Sequence, residues 1–249
     1  MTPSTQIPES IRQHIKQLER VRQDFVANVS HELRTPLTVM HGYLSAIVDM
    51  PDVSLTEHPD IFKKMLKQCV RMENIINDLL FLSDLENSHV QAQAHHPIDV
   101  PSLLINVIEE ARQVSNGQHE LTIDCQQTLH IMGEAFELKS LFSNLIINAV
   151  KYTPPGGRID VVWQRGQDLH PTLTVSDTGI GIEAVHIPRI TERFYRVNKD
   201  RSRQSGGTGL GLAIVKHILM NYEAELIIES VPSAGSSFTC LFPTDRSTT

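Results

Sequence analysis

Apolar residues recur every three or four positions from Ile11 to about Met50. This spacing predicts one long amphipathic helix with a single apolar stripe. A turn region at 50–59 contains two prolines, and a second stripe beyond it predicts another helix. The apolar positions of the first helix are Leu18, Val21, Phe25, Val29, Leu33, Leu37, Met40, Leu44 and Ile47, and those of the second are Ile61, Met65, Met72, Ile76, Leu79 and Leu82.

Two long helices joined by a short connection form an antiparallel hairpin, which we assign to a domain at 1–90. A hairpin on its own leaves much of its apolar stripe in water, because each helix has only one neighbour. We therefore predict that two copies of the chain pair their hairpins into a four-helix bundle.

Residues 87–101 lack periodicity and end in prolines, which marks a domain boundary. We assign 91–100 to a linker that acts as a hinge, and 101–245 to a second domain. In that domain helices are predicted at 100–114, 134–153 and about 209–221. The predicted strands are two short ones at 119–125 and 129–133, a pair at 158–166 and 169–179, and a closing hairpin of 225–230 with 235–242. This order predicts an α+β multidomain chain whose second domain is an α/β sandwich, one sheet covered by helices.

The chain of 249 residues is long enough for two ordinary domains. Its net charge of −7 disfavours nucleic acid as a partner, because proteins that bind it usually carry a basic face. The three scattered cysteines indicate a reducing compartment. The sequence has no secretory signal pattern and no run of ~18 apolar residues, so we expect a cytoplasmic chain that is soluble as given.

The stretch NVSHELRTPL (28–37) places a histidine on the first predicted helix. Because a helix turns by about 100° per residue, His31 lies about 200° from the apolar position Val29 and points to solvent. Thr35 lies close to it at about 240°, and Glu32 flanks it at about 300°. The following Pro36 lacks a backbone donor and loosens the helix beside these residues.

This arrangement allows two interpretations. An exposed imidazole is a usable nucleophile at neutral pH, and the Glu32 carboxylate can accept a proton from one ring nitrogen while the other attacks. Alternatively, His31 is an ordinary solvated histidine, and its position alone does not distinguish the two.

Two asparagines lie one turn apart in NLIINAVKYT (144–153). Asparagine is a poor helix former, so Asn144 and Asn148 favour a functional interpretation over an ordinary helix surface. An amide oxygen is a neutral ligand that suits Mg²⁺, and Lys151 nearby supplies a positive charge for phosphates.

Glycines follow a predicted strand in VSDTGIGI (175–182) and precede a predicted helix in GGTGLGLAIVKHI (206–218). In the first stretch, Asp177 ends the strand and can accept a hydrogen bond from the amine of adenine, beside glycines that leave the backbone open. In the second, backbone amides at a helix N-terminus converge on an anion. The basic stretch RFYRVNKDRSRQSGG (193–207) between them lacks periodicity and is interpreted as a mobile lid.

In this order the motifs resemble those of the sensor histidine kinases of two-component systems, over nearly the whole chain. SHELRTPL is similar to the H-box, NLIINAVKY to the N-box, DTGIGI to the G1 box, ERFYR to the F-box and GGTGLGLAIV to the G2 box. Five boxes in the family's order are highly specific. The stretches at 25–44 and 190–218 look closest to the phosphate-regulon branch of the family.

The resemblance implies a catalytic set on the first helix. By it His31 is the phosphoacceptor, Glu32 is the acid/base partner in autophosphorylation, and Thr35 helps to place water in the opposing phosphatase reaction.

The resemblance also implies which residues bind the cofactors ATP and Mg²⁺. Asn148 would hold Mg²⁺, Asn144 and Lys151 would contact phosphates, Tyr152 would lie on the nucleoside side, and Asp177 would accept the adenine amine. The other members of this predicted set are Gly179, Gly181, Arg193, Phe194, Gly207, Thr208, Gly209, Leu210 and Gly211.

For the whole chain, the resemblance implies a nucleotide-binding domain of the GHKL (Bergerat) type and a homodimer. The phosphoryl group on His31 would pass to an aspartate of a response regulator, in phosphate-starvation signalling. Kinases of this branch carry membrane helices and a sensory region before the H-box. We therefore expect either the cytoplasmic part of an inner-membrane protein or a naturally shortened kinase.

Other functions stay open at this stage. The chain could act mainly as a response-regulator phosphatase, to which Thr35 is suited. It could be an ATP-driven conformational machine like the chaperone, gyrase and mismatch-repair relatives of the nucleotide fold, although these have no need of His31. A scaffold that binds nucleotide without catalysis would not require intact His31, Asn148 and Asp177.

Overall fold

The computed structural model describes residues 9–49, 59–87, 96–126, 128–166, 168–197 and 207–248. The chain divides between Ile76 and Asn77 into two compact units, which we call the hairpin unit and the sandwich unit. The division falls inside the second helix, so the sandwich unit begins earlier than the predicted linker at 91–100. Residues 91–95 of that linker, the turn at 50–58 and the lid residues 198–206 lie outside the described residues.

The hairpin unit consists of α1 (Glu9–Val48) and the first part of α2 (Pro59–Asn87), which confirms both predicted helices. Pro36 lies inside α1 and is buried. Contacts between described residues join the helices. Arg71 donates to the Glu32 carboxylate at 2.9 Å, and the Cys69 thiol lies 3.3 Å from the Met40 sulfur.

Many apolar side chains of the hairpin unit remain in contact with solvent. Leu37 and Leu44 of the predicted stripe are 55% and 50% exposed, while Leu18 and Val21 lie outside the residues whose side chains are described. The other exposed apolar residues of this unit are Val26, Val39, Val48, Leu66, Val70 and Ile76. Both helices are nevertheless amphipathic, and among the described helices none combines the length and apolar character needed to cross a bilayer.

The sandwich unit contains a five-stranded mixed sheet. Its strands are β2 (Glu120–Cys125), β4 (Arg158–Arg165), β5 (Pro171–Asp177), β6 (Glu225–Val231) and β7 (Gly235–Leu241), in the order β2-β4-β5-β7-β6. Strands β2 and β4 pair in parallel, and the other neighbours are antiparallel. The β4–β5 and β6–β7 pairs confirm the predicted strand pair and the predicted closing hairpin.

Helices α3 (Val100–Ser115), α4 (Ala135–Tyr152) and α5 (Gly211–Asn221) pack on this sheet, with α4 between the other two. Alternate residues of β4 point into the core, and Ile159, Val161 and Trp163 are buried there. The Trp163 indole donates to the Leu129 carbonyl at 3.0 Å, so its polar group is satisfied inside the core. The fold confirms the predicted sandwich.

A second, smaller sheet has the order β1-β3-β8, with β1 (His96–Ile98), β3 (His130–Gly133) and β8 (Ser247–Thr248). All its pairs are antiparallel. The sequence predicts β3 but not β1 or β8, because strands of two or three residues are defined by pairing with a neighbour rather than by their own alternation. Residues 96–98 of the predicted linker therefore form part of the sandwich unit.

The last turns of α2 pack into the sandwich core. Leu82 and Leu85 are buried in the same cluster as the sheet and the helices. Phe81 meets Phe136 edge to face, with ring centroids 5.0 Å apart. Asn221 of α5 donates to the Leu85 carbonyl at 3.3 Å. These contacts explain why the compact unit begins before the predicted linker.

Tyr222 follows α5 and connects it to the start of α4. The ring is 1% exposed and meets Phe242 edge to face, with centroids 6.2 Å apart. Its hydroxyl accepts a hydrogen bond from the Glu134 amide at 2.7 Å. Burial raises the pKa of Tyr222, so the hydroxyl stays protonated. The hydroxyl thus provides an acceptor for a backbone amide at the N-terminal end of α4, where amides have no acceptor within the helix.

We expect Tyr222→Phe to lower the free energy of unfolding of the sandwich unit by about 1–3 kcal/mol, because the Glu134 amide loses its acceptor. Trp163 is the single tryptophan, so its fluorescence during a urea titration reports this unit. Tyr43→Phe on α1 is the matched control and should leave the tryptophan transition unchanged. An identical midpoint for Tyr222→Phe and the wild type would contradict the role assigned to the hydroxyl.

Candidate functional site

The His31 imidazole projects into solvent from α1, as the helical geometry predicts, with 63% of its side chain exposed. The adjacent Glu32 side chain is only 15% exposed. Its Oε1 lies 3.9 Å from Nδ1 of His31. The carboxylate therefore faces Nδ1, and Nε2 is the ring nitrogen on the other side.

Arg71 of α2 holds the other oxygen of this carboxylate. Its Nη2 donates to Glu32 Oε2 at 2.9 Å, and the two side chains are 11% and 15% exposed. A pair this shielded from water is geometrically restrained, because either charge would be costly to bury alone. Arg71 therefore positions Glu32 so that Oε1 faces His31.

The Thr35 hydroxyl lies one helical turn beyond the imidazole. Its Oγ1 donates to the backbone carbonyl of His31 at 3.1 Å, a local bond within the helix. Its proton is thereby committed to the backbone, while the oxygen can still accept a hydrogen bond from water. Pro36 lacks the amide that would otherwise bond to the Glu32 carbonyl, which weakens the helix at this turn.

The sandwich unit contains a cavity of about 200 Å³ beside α4 and the start of α5. It brings together ten of the residues predicted to bind cofactors: Asn144, Asn148, Lys151, Tyr152, Asp177, Gly181, Gly207, Thr208, Gly209 and Gly211. The apolar residues that line the cavity, which we call its apolar side, are Ala149, Ile180, Ile182, Ile190, Leu212 and Phe238.

The Asp177 carboxylate is an acceptor in the lining of the cavity. It receives hydrogen bonds from the amides of Gly179, at 2.7 Å, and Ser236. Burial raises the pKa of Asp177, and the two amide bonds oppose that shift. A half-buried acceptor among apolar side chains suits a flat ring that carries an amino group.

Polar residues on one face of α4 also line the cavity, and we call them its polar side. Asn144, Asn148 and Lys151 occupy this face because they are four and three residues apart. Burial of its ammonium group lowers the pKa of Lys151, an effect that the neighbouring Asp78 carboxylate opposes. A cation and two amides on one helix face can bind phosphate oxygens and a hard metal ion.

Two glycines lie beside the cavity at positions where a side chain would overlap a neighbouring group. Gly211, the first residue of α5, leaves room for the Asn144 side chain, which a Cβ would overlap. Gly181 has φ of +67° and faces the Val231 carbonyl so closely that no side chain fits. Both positions therefore require glycine for packing around the cavity.

Four residues of the predicted cofactor-binding set do not line the cavity. Gly179 lies behind Asp177 and donates to it, and Leu210 is buried, with its amide donating to the Thr208 hydroxyl at 3.2 Å. Phe194 has φ of +61°, and its amide donates to the Gly209 carbonyl at 2.8 Å. These three support the cavity wall through backbone contacts.

Arg193 is the fourth. Its guanidinium pairs with Glu86 of α2, and His217 lies 3.4 Å from the same carboxylate. Burial lowers the pKa of Arg193. This arginine therefore connects the F-box to α2 in the described structure, whereas Arg196 lines the cavity and donates to the Gly207 carbonyl at 2.5 Å.

Sequence reasoning overlooked several residues around these sites. Arg71 and Asp78 are on α2. Each contacts a residue far away in the sequence, so the sequence alone does not reveal these pairs. Tyr195 lines the cavity, and its hydroxyl lies 2.7 Å from His186 Nδ1, while the Arg189 guanidinium stacks 4.3 Å from its ring centroid. Tyr195 follows Arg193 and Phe194 in the F-box stretch, and this position is the feature of the sequence that could have indicated its place in the cavity.

Two family models match the chain in succession. The His Kinase A (phospho-acceptor) domain matches residues 21–88, and the histidine kinase-, DNA gyrase B-, and HSP90-like ATPase matches residues 133–246. The first range contains His31 and the second contains all the cavity residues named above. The chain thus carries an ATP-binding domain of the family.

Relatives extend the match across both domains. The phosphate regulon sensor protein PhoR of Pseudomonas aeruginosa is 47% identical over 230 residues, which are 92% of this chain and 51% of that protein. The protein of the same name in Haemophilus influenzae is 36% identical over 222 residues, 89% of this chain and 51% of that protein. The chain therefore spans about half the length of the curated relatives it matches.

The solved structure of the Acinetobacter baumannii histidine kinase AdeS resembles this chain with a TM-score of 0.68 and 22% identity, over 86% of this chain and 98% of that one. At this identity the likeness concerns the fold, and it agrees with a helical region followed by an α/β sandwich. The two domain matches, the five motifs in order and the relatives agree. The chain belongs to the sensor histidine kinases of two-component systems.

Proposed function

We propose that this chain is an ATP-dependent, autophosphorylating protein-histidine kinase with His31 as its phosphoacceptor. The observation that carries the proposal is the exposed imidazole of His31 beside a Glu32 carboxylate that Arg71 holds in position. An ordinary solvated histidine has no use for a restrained carboxylate at one ring nitrogen. A nucleophile does, because its proton must leave as it attacks.

The side chains indicate which ring nitrogen reacts. Glu32 faces Nδ1 of His31, so the reactive tautomer carries its proton there, and Nε2 attacks the γ-phosphorus of ATP. A nitrogen–phosphorus bond forms, the bond to the bridging oxygen of the β-phosphate breaks, and ADP leaves. The Nδ1 proton passes to Glu32. Positioning and charge stabilisation account for most of the catalysis in such transfers.

The cavity suits ATP in two parts. We assign the adenine ring to the apolar side, where its amine donates to Asp177. The phosphates are assigned to the side formed by Asn144, Lys151 and the glycine-rich entry to α5, because the amides at a helix N-terminus attract anions.

Mg²⁺ fits the donors on the polar side. Asn148 offers a neutral amide oxygen, and in the part of the chain that the structure describes no group of three or more His, Cys, Asp or Glu side chains could hold a metal. Mg²⁺ suits such a site because it takes few protein ligands and completes its shell with phosphates and water. With Asn148 as its ligand, the ion would neutralise part of the phosphate charge.

Two partners follow from the same surfaces. The exposed apolar side chains of the hairpin unit, including Leu37, Leu44 and Val48, support a homodimer through a four-helix bundle. The exposure of His31 supports transfer of its phosphoryl group to an aspartate of a response regulator. Because the relatives at 47% and 36% identity are phosphate regulon sensor proteins, we assign the chain to phosphate-starvation signalling.

Replacing the phosphoacceptor tests the proposal directly. After incubation with γ-labelled ATP and Mg²⁺, wild type should carry an acid-labile, alkali-stable label, and His31→Gln should carry none. His41→Gln, an exposed histidine on the same helix, is the matched control and should retain the label. Label on His31→Gln, or none on wild type, would refute the assignment.

For Asp177→Asn we expect ATP binding to weaken by about 10- to 100-fold, because a charged acceptor for the adenine amine is lost. Titration of the full chain with a fluorescent ATP analogue measures the change. Asp168→Asn, an exposed aspartate in the same unit that does not line the cavity, should bind as the wild type does. Equal affinity for Asp177→Asn and the wild type would remove this residue from the site.

Thr35→Ala tests the opposing phosphatase reaction. We expect dephosphorylation of a response regulator to fall further than autophosphorylation, because the Thr35 oxygen can orient a water molecule beside His31. Thr38→Ala is the matched control, since Thr38 also donates to the carbonyl four residues earlier, at 2.9 Å. Equal losses of both activities in Thr35→Ala would defeat the role assigned to the hydroxyl.

A further inference from the structure

A carboxylate from α2 reaches the edge of the nucleotide cavity. Asp78 Oδ2 accepts a hydrogen bond from the Thr208 hydroxyl at 2.9 Å, and Thr208 lines the cavity. Both residues belong to the sandwich unit, although 130 positions separate them in the chain. Asp78 has no place in the chemistry proposed above, so its position calls for an explanation.

The same carboxylate acts on the phosphate side of the cavity. Asp78 and Lys151 attract each other electrostatically, and Lys151 is a cavity residue assigned to phosphates. The Thr208 oxygen meanwhile accepts the Leu210 amide at 3.2 Å, at the position that caps α5. Asp78 is thus bonded to the glycine-rich entry to α5 and is close enough to Lys151 to attract its charge.

The neighbouring contacts keep this part of α2 in place. Leu82 and Leu85 are buried in the sandwich core, and Glu86 pairs with Arg193. Burial raises the pKa of Asp78, while the Thr208 bond and Lys151 oppose the shift. The carboxylate is therefore shielded from water, and Thr208 and Lys151 offset part of the cost of burying its charge.

We propose that Asp78 is a latch that ATP displaces: its carboxylate binds the Thr208 hydroxyl and attracts Lys151 until phosphate oxygens of the nucleotide replace it at both groups. Carboxylate and phosphate oxygens are both anionic acceptors, so they compete for the same hydroxyl and the same ammonium group. Bringing a phosphate beside an ionised carboxylate also costs energy, because like charges repel at short range. Nucleotide entry then frees residues 77–87 of α2 from one of their anchors.

Through this latch, binding of ATP in the cavity loosens the end of α2, the helix that also supplies Arg71. It rests on the proposed function only in taking ATP as the ligand and Lys151 as a phosphate contact. Adenosine has no phosphates, so it would fill the adenine side and leave Asp78 on Thr208. That difference separates competition at the phosphates from a general effect on the cavity.

The test compares two ligands with the whole two-domain chain. For Asp78→Ala we expect the affinity for AMP-PNP with Mg²⁺ to rise about three- to tenfold, as removal of a charged hydrogen-bonding competitor predicts, and the affinity for adenosine to stay unchanged. Asp60→Ala is the matched control, since Asp60 is an exposed aspartate on the same helix, and it should bind both ligands as the wild type does. Isothermal titration calorimetry measures the dissociation constants of the three proteins: the wild type and the two variants.

Three binding results would overturn the latch: unchanged AMP-PNP affinity in Asp78→Ala, weaker AMP-PNP binding, or an equal gain for adenosine. If the wild type binds neither ligand, the proposed function fails as well. If the wild type binds AMP-PNP and Asp78→Ala binds it equally well, the latch alone fails. Tryptophan fluorescence of Trp163 verifies that each variant is folded.

Amide hydrogen exchange separates the latch from simple charge repulsion at a distance. In the wild type, AMP-PNP should speed exchange in residues 77–87, and adenosine should not, because only the phosphates displace Asp78. Asp78→Ala should exchange faster in this segment before any ligand is added. Unchanged exchange in the wild type on addition of AMP-PNP would show that the carboxylate does not anchor the segment, and would overturn the proposal.

Discussion

The packing of α4 on the central sheet is the interaction on which the rest of the sandwich unit depends. One side of this helix buries leucine, isoleucine and phenylalanine side chains against the core, with Leu141, Phe142 and Ile146 inaccessible to solvent. The polar face that carries Asn144 and Asn148 is thereby held toward the cavity. Because one rigid helix serves both purposes, the burial of its apolar face also fixes the position of the amides.

The hairpin unit carries His31, the phosphoacceptor that we propose, and such a residue has to be both accessible and controlled. In the proposed function, the exposure of His31 makes it accessible to a nucleotide and to a receiver domain in turn. Control comes from Glu32, which is shielded by its pair with Arg71 and faces only one ring nitrogen. An exposed nucleophile with a restrained base beside it combines access with a defined tautomer.

The end of α2 belongs to the core of the sandwich unit as much as to the helix. Leu82 and Leu85 are buried there, and the polar residues Asp78 and Glu86 bond to the loop and helix that border the cavity. Apolar burial supplies most of the attachment, whereas the Asp78 carboxylate is the contact that we propose to be exchanged for an anion. This division of labour allows a bound anion to compete with the polar contacts while the apolar ones persist.

The sequence by itself determined the helices and long strands, the order of the five motifs and the outward direction of His31, because these follow from local periodicity and from neighbours within one turn. Only the tertiary structure decided which residue restrains Glu32, which carboxylate meets Thr208, and that Arg193 turns to Glu86. It also decided the short strands His96–Ile98 and Ser247–Thr248. These features join segments far apart in the chain, and their geometry depends on how whole elements pack, which no local pattern encodes.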